Sequence, residues 1–588
     1  MSGPSWYCAN QNNPMLKRKI KTRRALSISL LWLLPLAFLG IFYFFPLTSI
    51  IKISFESEGT GVLTPIIEAL NSQSIRQVVW FTIWQAVLST LLTLIIGLPG
   101  AYLFARYDFR GKSVLKALTV IPFVIPTVVV AAAFYALLGP SGWVNLAAMQ
   151  LFGLEAAPIH FTNTIYAILL AHIFYNTTII LRLVGDFWSH IDPRMSQAAR
   201  ILGANRITTF RKITLPILGP AITAAALLVF IFNFTSFGVI LILGGPKFAT
   251  LEVEIYYQTI SLFNLPLAAV LSIIQLFTTL VMTIIYTRLN RKLSQPIQLR
   301  SHSYTQKRIT TWKSRVFAGA VIFIIFTLLV TPLLALATRS FTRFDVGRDR
   351  QGDLSSGITF ENYNQLTINR RDSMFFVPPT TAIRNSLVFA VLAVILALVI
   401  GLPAAWALSR HSSSPVNRFL DPILMLPLGT SAVTLGLGFI VALNRPPFDF
   451  RASPLLIPIA HTLVAFPFVI RSLTPSLRSI KPRLRQAAGV LGASPLQVFR
   501  AVDLPLVGRA LLVAATFAFT ISLGEFGATA LISRPEYPTV PLMIYRFISQ
   551  PGAINYGQAM ALSTILMVVT AVGLILIERI RIADIGEF

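Results

Sequence analysis

Long apolar runs, spread evenly from one end of the sequence to the other, decide what this chain can fold into. They lie near 26–51, 78–105, 114–138, 163–184, 221–243, 265–287, 316–338, 385–408, 418–443, 454–474, 510–532 and 557–578. About 20 apolar residues are needed to cross a ~30 Å hydrocarbon core. Inside that core only a helix or a closed barrel satisfies its own backbone, and runs of this length suit helices. The pattern therefore predicts an all-α polytopic membrane protein with about twelve transmembrane helices. Composition agrees: 55% of the residues are hydrophobic and 12% charged, where a soluble domain carries about a quarter charged. The first run is too long for the apolar stretch of a signal peptide and reads as a retained span. Cys8 is the single cysteine, which excludes a disulfide framework and a cysteine-rich metal site.

A formal net charge of +27 invites a nucleic-acid partner, but a nucleic-acid binder gathers its basic residues on one face or stripe. Here they fall between the spans, in alternate gaps. Lys17, Arg18, Lys19, Lys21, Arg23 and Arg24 precede the first run, and further clusters occupy 106–116, 182–212, 288–315 and 471–509. The gaps of the other set hold 14 of the 49 basic residues, half of them in 339–384, which also carries Asp345, Asp349, Asp353, Glu361 and Asp372. This positive-inside bias places both termini in the cytoplasm and the bilayer, not nucleic acid, around the chain. The expected location is the bacterial cytoplasmic membrane.

The two halves repeat each other. Gly97-Leu98-Pro99 and Ala101 recur 304 residues later as Gly401-Leu402-Pro403 and Ala405. From the fourth run onward the offset is 289, pairing His172 with His461, Arg182 with Arg471, Phe237-Gly238 with Phe526-Gly527, and Tyr256 with Tyr545. The change of offset puts extra residues in the first half near 139–162. Tandem duplication is the reading: a cytoplasmic tail 1–25, a six-helix domain 26–287, a basic linker 288–315, a second six-helix domain 316–578 and a tail 579–588. An even number of spans gives both copies the same orientation, related by a pseudo-two-fold along the membrane normal, with the transport path expected between them.

Between the fourth and fifth spans of each half lies a cytoplasmic loop. One reads Asp192-Pro193-Arg194-Met195-Ser196-Gln197-Ala198-Ala199-Arg200-Ile201-Leu202-Gly203, then Ile213-Thr214-Leu215-Pro216. The other reads Lys481-Pro482-Arg483-Leu484-Arg485-Gln486-Ala487-Ala488-Gly489-Val490-Leu491-Gly492, then Val502-Asp503-Leu504-Pro505. Asp192 can cap and Pro193 can open a short helix, Gly203 can end it in the left-handed conformation, and Pro216 suits the first turn of the next span. These residues resemble the EAA loop of binding-protein-dependent ABC importer permeases: Glu-Ala-Ala, three residues, Gly, nine residues, then Ile-x-Leu-Pro. Gln197 and Gln486 stand where that family usually has Glu, and an amide keeps the hydrogen bonding without the charge.

The resemblance implies a six-helix permease unit present twice, coupled through Gln197, Ala198, Ala199, Gly203, Ile213, Leu215 and Pro216, and through Gln486, Ala487, Ala488, Gly492, Val502, Leu504 and Pro505. It implies two copies of a separate ABC ATPase subunit, which would bind the ATP and magnesium, and an extracytoplasmic solute-binding protein. The fusion of two permease halves resembles thiamine and iron(III) transport permeases, and Ser522-Leu523-Gly524-Glu525-Phe526-Gly527 is similar to a segment of those and of molybdate or sulfate permeases.

No cofactor, metal or catalytic group is expected in the chain itself. Gly111-Lys112-Ser113 lacks the glycine that a phosphate loop needs five residues earlier, where Arg106 stands. The histidines show no metal-ligand spacing, and His172 and His461 read as structural hydrogen-bonding groups. Glu525 is the one acidic residue placed well within a run. Its repeat partner is Ser236, and Gly524 and Gly527 flank it. A carboxylate at that depth faces the bundle interior or a wet path, either as a translocation or gate residue or as a structural acid bonded across the lobe interface. An ion-coupled 6+6 secondary transporter, the alternative, is expected to carry several such carboxylates.

Overall fold

The computed structural model describes residues 31–55, 64–293 except 246, 306–342, 358–368, 377–410, 415–444 and 449–582. The expected tail 1–25, the middle of the linker and most of the tail 579–588 lie outside the described residues. In the first half the chain forms α1 (Leu31–Phe55), α2 (Gln73–Arg106), α3 (Thr127–Leu138), α4 (Ile165–His190), α5 (Pro193–Ile201), α6 (Arg206–Phe234), α7 (Gly238–Leu243), α8 (Leu251–Ile260) and α9 (Leu265–Leu293). The second half repeats that order as α10 (Trp312–Ser340), α11 (Pro379–Arg410), α12 (Ala432–Ala442), α13 (Leu456–Ser479), α14 (Pro482–Val490), α15 (Leu496–Gly524), α16 (Gly527–Ile532), α17 (Val540–Ile548) and α18 (Ala553–Ile582). Among the described residues, 11 helices are long and apolar enough to cross a membrane, and a pair bent by 96°, Pro415–Gly429 with Ala432–Ala442, would make up to 12.

Four of the twelve runs are not single helices. The runs 114–138 and 418–443 break at Pro122, Pro126 and Pro427, because proline removes an amide and its ring clashes with the preceding turn. The fifth runs, 221–243 and 510–532, are displaced. Their long helices begin near Arg206 and Leu496, stop at Phe234 and Gly524, and restart as the short α7 and α16. The sequence stays apolar through both breaks, so hydropathy runs across them. Pro216 and Pro505 thus lie inside α6 and α15, each two residues past the end of a π-turn (Phe210–Thr214 and Phe499–Asp503) that widens the helix ahead of the ring. Pro99 and Pro403 sit within the unbroken α2 and α11.

The repeated Gly-Leu-Pro has a packing reason. A Cβ on Gly97 would lie 2.7 Å from the Ile180 side chain, and one on Gly401 would lie 2.8 Å from Val469, the residue equivalent to Ile180. These glycines let the fourth helix of each half pack against the second.

The first helix of each half packs on the other lobe. Trp32, Phe38, Leu39 and Tyr43 of α1 share a core with Ile400, Leu435, Phe439 and Phe466 of the second half, and the Tyr43 hydroxyl bonds Thr430 Oγ1 at 2.7 Å. Conversely, α10 meets the first half: a Cβ on Gly100 would lie 2.8 Å from Ile325, the Tyr102 and Phe317 rings meet at 5.8 Å, and Arg339 donates to the Ser141 carbonyl. A lobe is therefore not a contiguous stretch of sequence. Lobe one is α2–α9 with α10 on its flank, and lobe two is α11–α18 with α1. The described end of the linker is tied down as well: Lys307 and Arg308 form a short parallel pairing with Tyr107 and Asp108.

Candidate functional site

The helices α5 and α14 lie on the face where the fourth and fifth spans of each lobe are joined. In α5 the Asp192 carboxylate accepts the Arg194 amide at 2.9 Å and Pro193 opens the helix. It ends at Gly203, φ +86°, with the Ala204 amide bonded back to the Ala199 carbonyl at 3.0 Å. In α14 the end is equivalent: Gly492 has φ +83°, and the Ala493 amide reaches the Ala488 carbonyl at 3.0 Å. Both are the left-handed ending that closes off the last carbonyls of a helix. Lys481, in the place of Asp192, makes no side-chain cap. A reciprocal pair, Ser494 with Gln497, starts the next helix instead.

No residue of α5 or α14 is buried. Gln197, Ala198 and Ala199 lie on α5, and Gln486, Ala487 and Ala488 lie on α14, while Ile213, Leu215 and Pro216 (Val502, Leu504 and Pro505 in lobe two) belong to the long helix that follows. Beside the glycines the helices carry apolar tips that sequence reasoning passed over. Ile201 and Leu202 are 86% and 88% exposed, and Val490 and Leu491 are 88% and 87% exposed. Closely matched exposure at equivalent places marks a paired surface.

A second cluster lies where the lobes meet. The Phe237 and Phe526 rings stack at 5.3 Å and 25°. They are repeat equivalents, and two equivalent residues touch each other only on the symmetry axis that relates them. Tyr256 lies 5.4 Å from Phe237 and Tyr545 lies 5.5 Å from Phe526, so the repeat pairs assemble four rings about that axis. Each phenylalanine occupies the break between a fifth helix and the short helix after it.

Glu525 sits at this break, not deep within a helix, and it bonds within its own lobe, not across the interface. Its carboxylate accepts the Ala528 amide at 2.8 Å, the Thr529 amide at 3.1 Å and the Thr529 hydroxyl at 2.6 Å, capping α16. His461 Nε2 lies 3.3 Å away, and its Nδ1 meets Ser522 Oγ at 2.7 Å. In lobe one Ser236 meets His172 Nε2 at 2.9 Å, and His172 Nδ1 meets Ser89 Oγ at 3.0 Å. Gly524 is a point of close approach, where a Cβ would come within 3.2 Å of Pro126 in lobe one. A Cβ on Gly527 would lie 3.0 Å from Ala432.

The acid that crosses the interface is Glu252, in the first turn of α8. It is 1% exposed, accepts from Gln275 and from Ser431 Oγ of lobe two, the latter at 2.6 Å. Sequence reasoning missed it because 244–264 falls between two apolar runs and reads as a loop.

A cavity of about 300 Å³ opens at the opposite end of lobe two from α14, floored by Phe439, Leu456 and Leu531 and rimmed by Asp449, Arg451 and Arg534. In lobe one the longer loop fills the corresponding place. Phe161 packs against Phe134 at 6.3 Å, and the Asn163 amide bonds the Leu243 carbonyl at 2.9 Å.

Comparison with known proteins gives this geometry its setting. The model of the family described as "Binding-protein-dependent transport system inner membrane component" matches twice, over residues 97–295 and 397–581. The chain is 27% identical over 496 residues to the thiamine transport system permease protein ThiP of Escherichia coli, covering 81% of this chain and 85% of that protein. It is 26% identical over 508 residues to ThiP of Brucella abortus, with 86% of each covered. A probable ABC transporter permease protein, y4fN, of Sinorhizobium fredii is 24% identical over 540 residues, with 91% and 92% covered. Among solved structures, a chain of a bacterial ABC transporter involved in the import of the acidic polysaccharide alginate is 20% identical, with a TM-score of 0.39, over 48% of this chain and 100% of that one. The two family matches together span more than half of the sequence, one in each lobe, and the chain belongs to the binding-protein-dependent transport system inner membrane components, as an ABC importer permease of the fused two-domain type.

Proposed function

We propose that the chain forms the whole membrane path of a thiamine importer, with α5 and α14 as docking helices for two copies of a separate ATPase subunit. The observation that carries this reading is the pair of exposed helices with matching apolar tips and matching glycine ends. One docking helix per lobe suits two ATPase copies, and Gln197 and Gln486 sit in each where hydrogen bonds to a partner are available without charge. Ile213–Pro216 and Val502–Pro505 join each docking helix to its fifth span. The four rings on the axis close the path, and Glu525, Gly524, Gly527 and Ser236 hold the turns that carry Phe526 and Phe237. In this reading the termini and docking helices face the cytoplasm, and an external solute-binding protein delivers the solute to the opposite face.

Thiamine is favoured over iron(III) because the relatives compared above include thiamine permeases by name. The test is reconstitution. The chain should co-purify with an ABC ATPase, and proteoliposomes holding both should take up labelled thiamine only with ATP and a binding protein. ATP-driven uptake of iron(III) and not thiamine would replace the solute and leave the mechanism. Uptake by the lone chain driven by a proton gradient would overturn the mechanism itself.

A further inference from the structure

The two lobes are built alike but braced differently, and the difference lies at the two ends of one helix. In lobe two the Arg485 guanidinium, on α14, bonds Asp503 Oδ1 at 2.6 Å. Asp503 is fully buried in the π-turn of α15. Its other oxygen accepts from Trp406 Nε1 of α11 at 3.2 Å, and Arg485 also reaches the Leu477 carbonyl of α13 at 3.3 Å. One ion pair thus ties the docking helix to three spans. At the far end of α15, Glu525 caps α16 through Ala528 and Thr529 and meets His461. Phe526, half of the axial stack, lies with Glu525 between those two helices.

The repeat equivalents of Arg485, Asp503 and Glu525 are Ser196, Thr214 and Ser236. None of them carries a charge, so the Arg485–Asp503 ion pair and the Glu525 carboxylate cap have no counterpart at those positions. In lobe one Arg106, at the end of α2, donates to the Ile191 carbonyl at 3.3 Å and interacts electrostatically with Asp192, the cap of α5, which ties the start of α5 to α2 and not to α6. A buried charged pair resists separation far more than a hydroxyl contact, since pulling it apart strands a charge away from water. α15 is one continuous helix from Leu496 to Gly524, so Asp503 and the turn at Glu525 belong to a single element.

We infer that lobe two is the transmitting lobe: the Arg485–Asp503 pair makes α14 and α15 move together, and Glu525 passes that movement to Phe526 at the axial closure. Lobe one supplies the second docking helix and the second ring but follows. This inference rests on the docking reading above, and Arg485 and Asp503 act as positioning residues, touching neither solute nor nucleotide.

The test replaces the pair by its lobe-one equivalents, Arg485→Ser with Asp503→Thr, which leaves no stranded charge. In proteoliposomes with the ATPase, ATP hydrolysis and labelled thiamine uptake are measured together. Uptake per ATP hydrolysed should fall at least ~tenfold, within the range of ordinary coupling energies, while ATPase association stays at the wild-type level. An unchanged ratio overturns the inference. So does loss of ATPase association, which would make the pair a support of the docking surface. Should the double variant fail to reach the membrane, Asp503→Asn decides, because it keeps the shape and an acceptor for Arg485 while deleting the charge. A lower ratio with normal association supports transmission, and a wild-type ratio rejects it. Failure of the wild-type chain to bind any ATPase would reject the docking reading first, and is seen before any variant is made.

Discussion

Glu525 and Ser236 occupy one place in the repeat, and the way each is held sets what its replacement should do. Two carboxylate oxygens serve the first turn of α16 and face His461, whereas Ser236 offers one hydroxyl to His172. Glu525→Gln leaves one acceptor oxygen and turns an NH₂ toward donors, a local loss of about 1–3 kcal/mol. The chain should still assemble with its ATPase, while uptake falls. Unchanged uptake would remove Glu525 from the closure altogether. The rings themselves give a sharper test. Two aromatic rings stacked on an axis add about 0.5–1.5 kcal/mol beyond their burial, and trimming both by Phe237→Ala with Phe526→Ala should open a passive route. Preloaded vesicles should then lose thiamine without ATP, and retention as tight as wild type would place the closure elsewhere. Sequence alone showed that Glu525 breaks the two-fold and that Phe237 and Phe526 correspond. It could not show that they touch, because a repeat gives equivalence and not distance.

At the scale of elements, α5 and α14 were the most readable part of the chain. Their limits follow from local chemistry: a cap at Asp192, proline in the first turn, and glycine where the backbone turns left-handed at φ +86° and +83°. Valine at Gly203 or Gly492 must adopt a conformation that its branched side chain disfavours by roughly 1–2 kcal/mol. Gly203→Val or Gly492→Val is therefore expected to unwind the helix end, with normal membrane insertion but lost ATPase co-purification and uptake. Co-purification at the wild-type level with both glycines replaced would remove the docking assignment. The fifth spans were the least readable. Their apolar residues continue through Phe237 and Phe526, so nothing in hydropathy marks the breaks at 234–238 and 524–527, and the helices were placed too late. The short α8 and α17 were hidden for the opposite reason: Glu252, Glu254 and Arg546 made buried segments look like loops.

At the scale of the molecule, the duplication was legible from its offsets, and the exchange of first helices was not, since either lobe presents an apolar seat of the same kind to α1 or α10. Topology remains open to direct test. With Cys8 replaced by serine, single cysteines at Ser301 and Ser355, both outside the described residues, should react oppositely with an impermeant thiol reagent. Labelling of both from outside intact cells would break the twelve-span arrangement. The exchange also predicts that the halves, cut within 294–305, are degraded when made separately and restore uptake when made together, because each half lacks a helix that the other holds. A stable half expressed alone would contradict it. That exchange also sets a schedule for synthesis. Leu39 leaves the ribosome early, but the Phe466 side of its seat follows more than 400 residues later, on the order of twenty seconds to a minute and a half at about 5–20 residues per second. Through that interval the Trp32–Tyr43 end of α1 waits in lipid, where an apolar helix is already solvated, while its Phe45–Phe55 end packs beside α9 of its own half. The last lobe made captures the first helix made, and the molecule closes on itself only when translation is nearly done.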